Sequence, residues 1–393
     1  MDGWEIYTER TISKYAVIEN SKIKEIGEKT SKGEAFRAIV DGKVAMVSGS
    51  KIDDRMKELA VKLARNSQEE LKEFPEKEKL PKVEIYDREV EKISPDEIRD
   101  LCEAISAVGN ISYAQIEFEV TERRLTNSSG VEYSEKESAV GIVVEAVFNG
   151  GSAYEYHSSR RLDFRPEDFA ERALELARMD GQRVKLESGK YTVTLSPIAV
   201  DQLLSHALYP AFYHENVKKG RSLLADKIDK NVFGELTVKD DPLIPYGMGS
   251  CSFDDEGVPA KSKTLVMNGV LKGFISDLKN SPENPTGNGF RDDYSAYPST
   301  SPSNIILEYG DRGEAEGIYV HSFIGAHTAN FVSGDFSLEL GNAYYEGRAV
   351  KGAMIYGNIY DLLSRISHFG KDQRQVGVTL TPEIVFEGVE VKL

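Results

Sequence analysis

Consecutive strand-like runs, with no helix between them, place the strongest constraint on the fold of this chain. Residues 14–30 and 34–49 alternate apolar and polar side chains around an Asn-Ser turn and an Asp-Gly turn, a pattern typical of antiparallel strands. No regular strand–helix–strand alternation follows, which disfavours a parallel sheet of the dinucleotide-binding type. We therefore expect an α+β fold whose N-terminal half combines antiparallel sheets with flanking helices.

A helix closes each of two groups of strand-like runs. Residues 50–67 have the periodicity of an amphipathic helix. Its predicted apolar face consists of Met56, Leu59, Ala60 and Leu63. A second group begins with a helix capped by Ser94 and continues as strands around an Asn-Ser-Ser-Gly turn. Residues 165–178 then form its closing helix, so we interpret the two groups as related strand-helix units.

Composition changes near the middle of the chain. We expect an N-terminal α+β domain over residues 1–187 and a β-rich C-terminal domain over residues 188–393. The first domain divides into sub-units of about 1–66 and 94–180, because the segment between them is charged and contains prolines, as linkers often do.

The C-terminal half is predicted to be rich in strands. A strand over 190–195 leads into a helix capped by Ser196, and Asn268-Gly269 lies between two apolar runs as the clearest hairpin signal. Residues 280–304 form a long loop of Gly, Pro, Ser, Asn and Tyr, a type that is often a binding loop or disordered. A last helix is expected within 356–370.

Charge and composition exclude several classes of function. The net charge of −16 disfavours nucleic acid as a partner, since such binding requires basic side chains on phosphates. No apolar run is long enough to span a membrane, and the first residues do not resemble a signal peptide. With 2 cysteines the chain has no disulfide framework, and we expect a cytoplasmic protein.

One short stretch resembles half of a zinc-peptidase motif. His214-Glu215 is followed at the position of the second histidine by Lys218, so the His-Glu-x-x-His pattern is incomplete. His206 has Pro210 at the position one turn later, and proline cannot bind a metal. His206 and His214 could meet across a kink, and they would then need a third ligand. We expect no metal site in this chain and regard these two histidines as candidate relics.

Other motifs carry less information. The acidic cluster 253–257 is predicted to be a turn, because calcium loops need more widely spaced oxygens. His321 and His327 lack ligand spacing and are predicted to be structural or to line a groove. Neither a nucleophile elbow nor a phosphate-binding glycine loop occurs.

Several longer segments together resemble the TldD/PmbA family, also called modulators of DNA gyrase. They are residues 252–281, with Asp-x-Glu-Gly-x-Pro before an Asn-Gly hairpin, residues 330–363, with a Gly-Asp-Phe-Ser core, and the stretch 217–228. In the TldD branch of the family, a helix with two histidines and a Glu binds zinc together with a C-terminal cysteine. This sequence lacks these residues and so resembles the TldE (PmbA) branch.

The resemblance implies an accessory, non-catalytic subunit of a heterodimeric TldD/TldE zinc metallopeptidase. The zinc would belong to a TldD-type partner, and this chain would have no cofactor and no catalytic residue of its own. The implied substrates are unfolded peptides, for which addition to a sheet edge is a sequence-tolerant mode of binding. The implied substrate-binding residues are Asn330, Phe331, Gly334 and Asp335.

Three alternatives remain at this level. The chain could be a stand-alone metallopeptidase with a degenerate site of His206, His214 and Glu215. It could bind peptides without proteolysis, or act on gyrase through protein contacts. An isolated chain is also expected to pair with itself through the surface meant for the TldD-type partner.

Overall fold

The structure is a computed structural model that describes residues 1–393, apart from the side chain of Arg183. One antiparallel sheet forms the N-terminal half, with the strand order β3-β2-β1-β4-β5-β6. Its strands are β1 (Gly3–Glu19), β2 (Lys22–Val40), β3 (Lys43–Gly49), β4 (Ile111–Asn127), β5 (Glu132–Phe148) and β6 (Gly151–Ser159). Each predicted unit supplies three of these strands, and the pairing of β1 with β4 joins the units into one sheet.

Four helices belong to this half. They are α1 (Asp54–Asn66), α2 (Arg88–Lys92), α3 (Pro95–Val108) and α4 (Pro166–Asp180). The start of α3 is as predicted, because the Ser94 hydroxyl accepts from the Glu97 backbone N–H and the Glu97 carboxylate accepts in return from that of Ser94. The α+β class is therefore confirmed, with strands that are longer than the sequence pattern suggested.

The predicted apolar face of α1 is wrong in part. Leu59 and Leu63 are 49% and 46% exposed, whereas Ala60 and Ala64 are fully buried. The small alanine side chains let the helix approach the sheet, where they pack in clusters with side chains such as Phe36 and Val40. The buried face of α1 is therefore the one that lets the helix backbone pack closely on the sheet, and not the one with the largest apolar side chains.

The segment between the two units is not a free linker. Leu71 and Phe74 are buried against the sheet, and the Leu71 backbone N–H donates to Gly42 O at 3.0 Å. Ile85 is also buried, and its carbonyl accepts from the Ser138 backbone N–H at 3.0 Å. The charged residues of this segment face solvent while its few apolar residues fasten it along the sheet.

The C-terminal half consists mostly of short strands. They are β7 (Arg183–Val184), β8 (Gly189–Leu195), β9 (Thr237–Asp240), β10 (Lys263–Met267), β11 (Val270–Leu271), β12 (Gly289–Phe290), β13 (Ser299–Thr300), β14 (Ile305–Glu308), β15 (Ile318–Val320), β16 (Phe323–Ile324), β17 (Asp335–Leu340), β18 (Ala343–Tyr345), β19 (Arg348–Val350), β20 (Met354–Asn358), β21 (Ile366–Phe369), β22 (Arg374–Val376), β23 (Thr379–Thr381) and β24 (Ile384–Lys392). The helices are α5 (Pro197–Ala207), α6 (His214–Lys218) and α7 (Ile359–Leu363).

Two larger sheets organise these strands around the main core. One has the order β11-β10-β9-β14-β23-β22, and the other has the order β16-β17-β20-β24-β8-β15-β18-β19-β7 with β21 beside β24. The helix α5 is buried in the same core, since Leu203 and Leu204 belong to it together with side chains of both sheets. No helix of the described chain has both the length and the apolar character that a membrane span requires.

Two predictions for this half have different outcomes. The Asn268-Gly269 hairpin is confirmed, because it joins β10 to β11. The helix expected within 356–370 is only α7, and residues 366–369 instead form β21. The open side of β24 offers these residues backbone partners, which outweighs their helical pattern.

A buried network of charges joins the two halves. Arg37 donates to both oxygens of Glu5, at 2.8 and 2.7 Å, and to Glu256 at 2.9 Å. Arg123 bridges Asp255 at 2.7 Å and Glu135 at 2.6 Å in the same way. All six side chains are at most 9% exposed. The predicted turn 253–257 is confirmed as a turn, and its acidic residues Asp255 and Glu256 bind arginines of the sheet.

Candidate functional site

The helix α5 has an N-terminus fixed by its sequence. The Ser196 hydroxyl accepts from the Ala199 backbone N–H at 3.2 Å and donates to His321 O at 2.6 Å. Pro197 occupies the first turn, where a missing N–H costs nothing. The strand β8 ends just before α5, and a side chain of this helix contacts the backbone of β16. The helix α5 thus lies beside the edge strand of this sheet.

Gln202 fastens α5 to this sheet edge. Its Oε1 accepts from the Phe323 backbone N–H at 2.7 Å, and its Nε2 donates to the Tyr154 hydroxyl at 3.1 Å. The edge donor of β16 is therefore satisfied within the chain, and a peptide that pairs at Phe323 would have to displace Gln202.

Asp201, which precedes Gln202 in the helix, also makes a hydrogen bond within the chain. Its Oδ1 accepts from the Thr379 hydroxyl at 2.6 Å, and that hydroxyl lies 2.6 Å from the Tyr209 hydroxyl. Burial raises the pKa of Asp201 to about 6, while the Thr379 hydrogen bond opposes this rise. The carboxyl group thus links α5 to β23 in the interior.

The two candidate relic histidines lie on different elements. His206 is exposed at the end of α5, and its Nδ1 lies 3.0 Å from Gln202 O and 3.0 Å from the Ser205 hydroxyl. His214 begins the five-residue helix α6 after a 3₁₀ turn, Tyr209–Phe212, that contains Pro210. Partial burial and the Lys218 ammonium lower the pKa of His214.

The rest of the His-Glu stretch is committed to other contacts. Glu215 forms an ion pair with Lys219, and Lys218 donates to Asn280 O. Among the side chains that the structure describes, no three of His, Cys, Asp or Glu converge where a metal ion could bind. The residues present therefore do not fit a zinc ion.

The four predicted substrate-binding residues are brought together in one turn. Asn330 donates from its backbone N–H to Asp335 O at 2.9 Å, and the Gly334 N–H donates to Asn330 O at 2.7 Å. Asn330 and Asp335 are exposed and Phe331 is half-buried. Gly334 is buried with a φ of 79°, a conformation that glycine adopts readily, so it shapes the turn from inside.

The sequence did not predict a cavity that lies next to the edge strand β16. It has a volume of about 320 Å³ and lies between the β5–β6 turn and β16. Two of its lining side chains, Val147 and Ile324, are 46% and 57% exposed, and Tyr154 and Phe323 also line it. No local pattern marks Phe323-Ile324 as an edge, since that depends on where β8 ends and α5 begins.

The loop 280–304 is not the free groove loop that the composition suggested. The fully buried Asn288 donates to Asp240 at 2.8 Å, and Asp240 also accepts from the Ser303 backbone N–H at 2.7 Å. Tyr297 accepts from the Met46 backbone N–H at 2.7 Å. The loop is therefore packed between the halves by side-chain hydrogen bonds, which its glycines and prolines did not reveal.

A half-buried histidine near α4 predicts how stability depends on pH. Burial, assisted by the Arg374 guanidinium, lowers the pKa of His157 from 6.5 to about 4, and the ring stacks on Phe169 at 4.8 Å. Between these pH values the unfolded chain binds the proton that the folded chain refuses, so this stability is lost as pH falls from 6.5 to 4. We expect His157→Phe to reduce that loss by up to about 3 kcal/mol.

Urea unfolding of the parent and the variant at pH 4.5 and 7.0 measures this difference. The same substitution at the exposed His327 is the control, and its pH dependence should match that of the parent. An unchanged pH dependence in His157→Phe would contradict the assignment.

Comparison with known proteins agrees with this architecture. Models of the PmbA/TldA metallopeptidase family match the chain in three parts: domain 1 over residues 4–67, the central domain over 75–180 and the C-terminal domain over 188–393. An uncharacterized protein of Methanocaldococcus jannaschii is 34% identical over 380 residues, which is 91% of this chain and 89% of that protein.

Two further proteins bear on function. A metalloprotease TldD homolog from Buchnera aphidicola is 29% identical over 244 residues, which is 57% of this chain and 50% of that protein. The crystal structure of TldE from Thermococcus kodakarensis matches with a TM-score of 0.90 and 25% identity, covering 100% of this chain and 97% of that chain.

Proposed function

Because this chain belongs to the PmbA/TldA metallopeptidase family, we propose that it is the accessory, TldE-type subunit of a two-subunit peptidase. In this role it forms one wall of a chamber in which a TldD-type partner holds zinc and cleaves unfolded peptides. The likeness to the TldE structure over the whole chain supports the assignment to this branch.

The state of α5 is the observation that carries the proposal. Asp201 and Gln202 are engaged in hydrogen bonds within the chain, and His206 contacts the carbonyl of its own helix. A catalytic helix must instead direct its ligands at one shared point, as zinc coordination requires. The polar side chains of α5 therefore suit a structural role in the wall of a chamber and do not suit metal binding.

The turn 330–335 and the apolar edge at Ile324 are the proposed peptide contacts. Asn330 and Asp335 offer polar side chains at the rim, while Phe331 and Ile324 offer apolar surface. Such a surface suits unfolded peptides, whose exposed apolar side chains need cover and whose sequence varies. Gly334 contributes by holding the turn in shape.

The decisive experiment compares this chain, a TldD-type partner and their mixture. We expect the chain alone to contain substoichiometric zinc and to leave an unfolded peptide intact, and we expect the mixture to cleave it. Elemental analysis and mass spectrometry of the peptide provide the readouts. Cleavage by the chain alone with one bound zinc would instead establish the stand-alone metallopeptidase. Binding without cleavage in the mixture would establish a peptide-binding protein.

Within the same experiment, Phe331→Ala tests the proposed contact surface. Loss of one apolar contact of this size should lower the kcat/KM of the mixture by about tenfold. Leu223→Ala removes an exposed apolar side chain outside the turn and is the control. Equal activity of both variants would remove the turn from the proposal without affecting the role of the partner.

A further inference from the structure

A second cavity lies at the N-terminal end of α5 and is separate from the cavity between the β5–β6 turn and β16. Its volume is about 470 Å³, and its walls come from β6, α4, the start of α5 and the segments around β15 and β22. The lining is polar, with Glu155, Arg172, His321, Arg374 and Glu383 among its side chains. Neither the predicted site residues nor the turn 330–335 contribute to it.

Glu155 is the central feature of this cavity. Its side chain is 3% exposed, and its Oε1 accepts from Arg374 at 2.8 Å and from the Tyr156 backbone N–H at 3.0 Å. The other oxygen, Oε2, is 3.9 Å from His321 Nε2 and has no hydrogen-bond donor among the described residues. This oxygen has accessible surface, so the cavity presents a carboxylate acceptor that is open to the donor of a ligand.

His321 does not supply the missing donor. Its Nε2 lies 3.0 Å from Tyr154 O, a carbonyl, and must therefore carry the proton that it donates there. Burial lowers the pKa of His321, so the ring is neutral near pH 7 and its Nδ1 has a lone pair. The ring therefore adds no positive charge to this wall.

The balance of charge in the lining favours a cation. The carboxylates are Glu155, Asp168, Glu314, Asp372 and Glu383. The permanent cations are Arg172, Lys371 and Arg374. The carboxylates outnumber the cations, and the most deeply buried member of the set is the carboxylate with an unpartnered oxygen. Because the Glu155 carboxylate is shielded from bulk water, it attracts a positive ligand group more strongly than an exposed carboxylate would.

A donor for a carbonyl lies next to that acceptor. Arg374 uses Nη2 for Glu155 and Tyr156 O, and its Nη1 makes no hydrogen bond to the described residues. Phe169 and Tyr319 form part of the same wall and offer apolar surface. The first residue of a peptide carries groups that match these three features: an α-ammonium for the acceptor, a carbonyl for the donor and a side chain for the apolar surface.

We propose that this cavity binds the amino terminus of a peptide, with the α-ammonium on Glu155 Oε2 and the first carbonyl on Arg374. The choice of a peptide as ligand rests on the proposed peptide-handling function, whereas the ammonium chemistry rests on the cavity alone. The site gives the accessory subunit a way to select peptides by a free end.

Calorimetric titration of this chain alone tests the proposal with the tripeptide amide Ala-Phe-Ala and its N-acetylated form. The free amine is expected to bind, and acetylation is expected to weaken binding at least tenfold, about 1.4 kcal/mol. Glu155→Gln should weaken the free amine to the same extent. Glu346→Gln, a matched change at an exposed carboxylate, should leave it unchanged.

Three results would overturn the proposal. They are equal binding of the acetylated peptide, absence of binding by either form, and equal binding of an N-acetylated peptide that carries a lysine, because the site would then select an ammonium of any origin. The acetylated ligand keeps the test valid if Glu155→Gln fails to fold. Failure here leaves cleavage by the mixture untouched, so it is distinguishable from failure of the proposed function.

Discussion

Replacing Arg37 with alanine is expected to lower the free energy of unfolding by about 3–5 kcal/mol. The guanidinium is 4% exposed and holds Glu5 through two hydrogen bonds and Glu256 through one. Its removal leaves Glu256, which is 2% exposed, with the Leu278 backbone N–H as its remaining donor. A buried carboxylate that loses its cation keeps the full cost of leaving water.

The size of this effect is measured by urea unfolding at pH 7. Arg10→Ala is the control, since Arg10 lies on the neighbouring strand β1 and is exposed, and it should change stability by less than about 0.5 kcal/mol. Adding Glu256→Gln to Arg37→Ala should restore part of the loss, because a buried amide costs less than a buried charge. A loss below about 1 kcal/mol for Arg37→Ala would show that water reaches the network.

Replacing Gly269 with alanine is expected to cost about 2–5 kcal/mol. The residue has a φ of 79°, where an alanine loses about 1–2 kcal/mol. An added Cβ would also lie 1.8 Å from Gly234 O and 2.5 Å from Asn231 Nδ2. Moving the backbone of that neighbouring loop adds about 1–3 kcal/mol, as overpacking does in a core.

A second Asn-Gly turn provides the matched control. Asn149-Gly150 joins β5 to β6, and Gly150 has a φ of 83° with nothing within 4 Å of an added Cβ among the described residues. Gly150→Ala should therefore show only the conformational cost of about 1–2 kcal/mol. Equal losses at the two positions, measured by urea unfolding, would mean that the contact at Gly269 relaxes freely.

Local sequence signals predicted the elements that depend on neighbouring residues. Ser94 and Ser196 cap the helices that they were expected to begin, and Asn268-Gly269 forms the expected hairpin. These features follow from dihedral preferences and from hydrogen bonds over a few residues, which the chain specifies directly. The strand-then-helix grouping, and with it the α+β class, was readable for the same reason.

Features that depend on distant residues could not be predicted in this way. Arg37 and Glu256 are separated by 219 positions, and nothing near either residue identifies the other as its partner. The helix expected within 356–370 lost most of its length to pairing with β24, which is again a tertiary contact. Side-chain patterns report how polar a position is and do not report which distant surface will cover it.

The candidate site shows the same division. The motif search found His206 and His214, which the fold keeps on separate elements. Nothing in the local sequence marks Glu155, which is one residue of an alternating strand. The cavity around it forms only when α4 and α5 meet β6. A cavity is a property of packing, so a site that consists of one is visible only in three dimensions.

The charge network also determines what counts as a folding unit in this chain. Phe253 of the C-terminal half covers Tyr7, Leu125 and Tyr133 of the N-terminal sheet, next to the paired arginines and carboxylates. A fragment that ends near residue 187 would have an apolar face and buried charges without partners. The contacts across the division near that residue lead us to expect that the two halves unfold together in one cooperative transition.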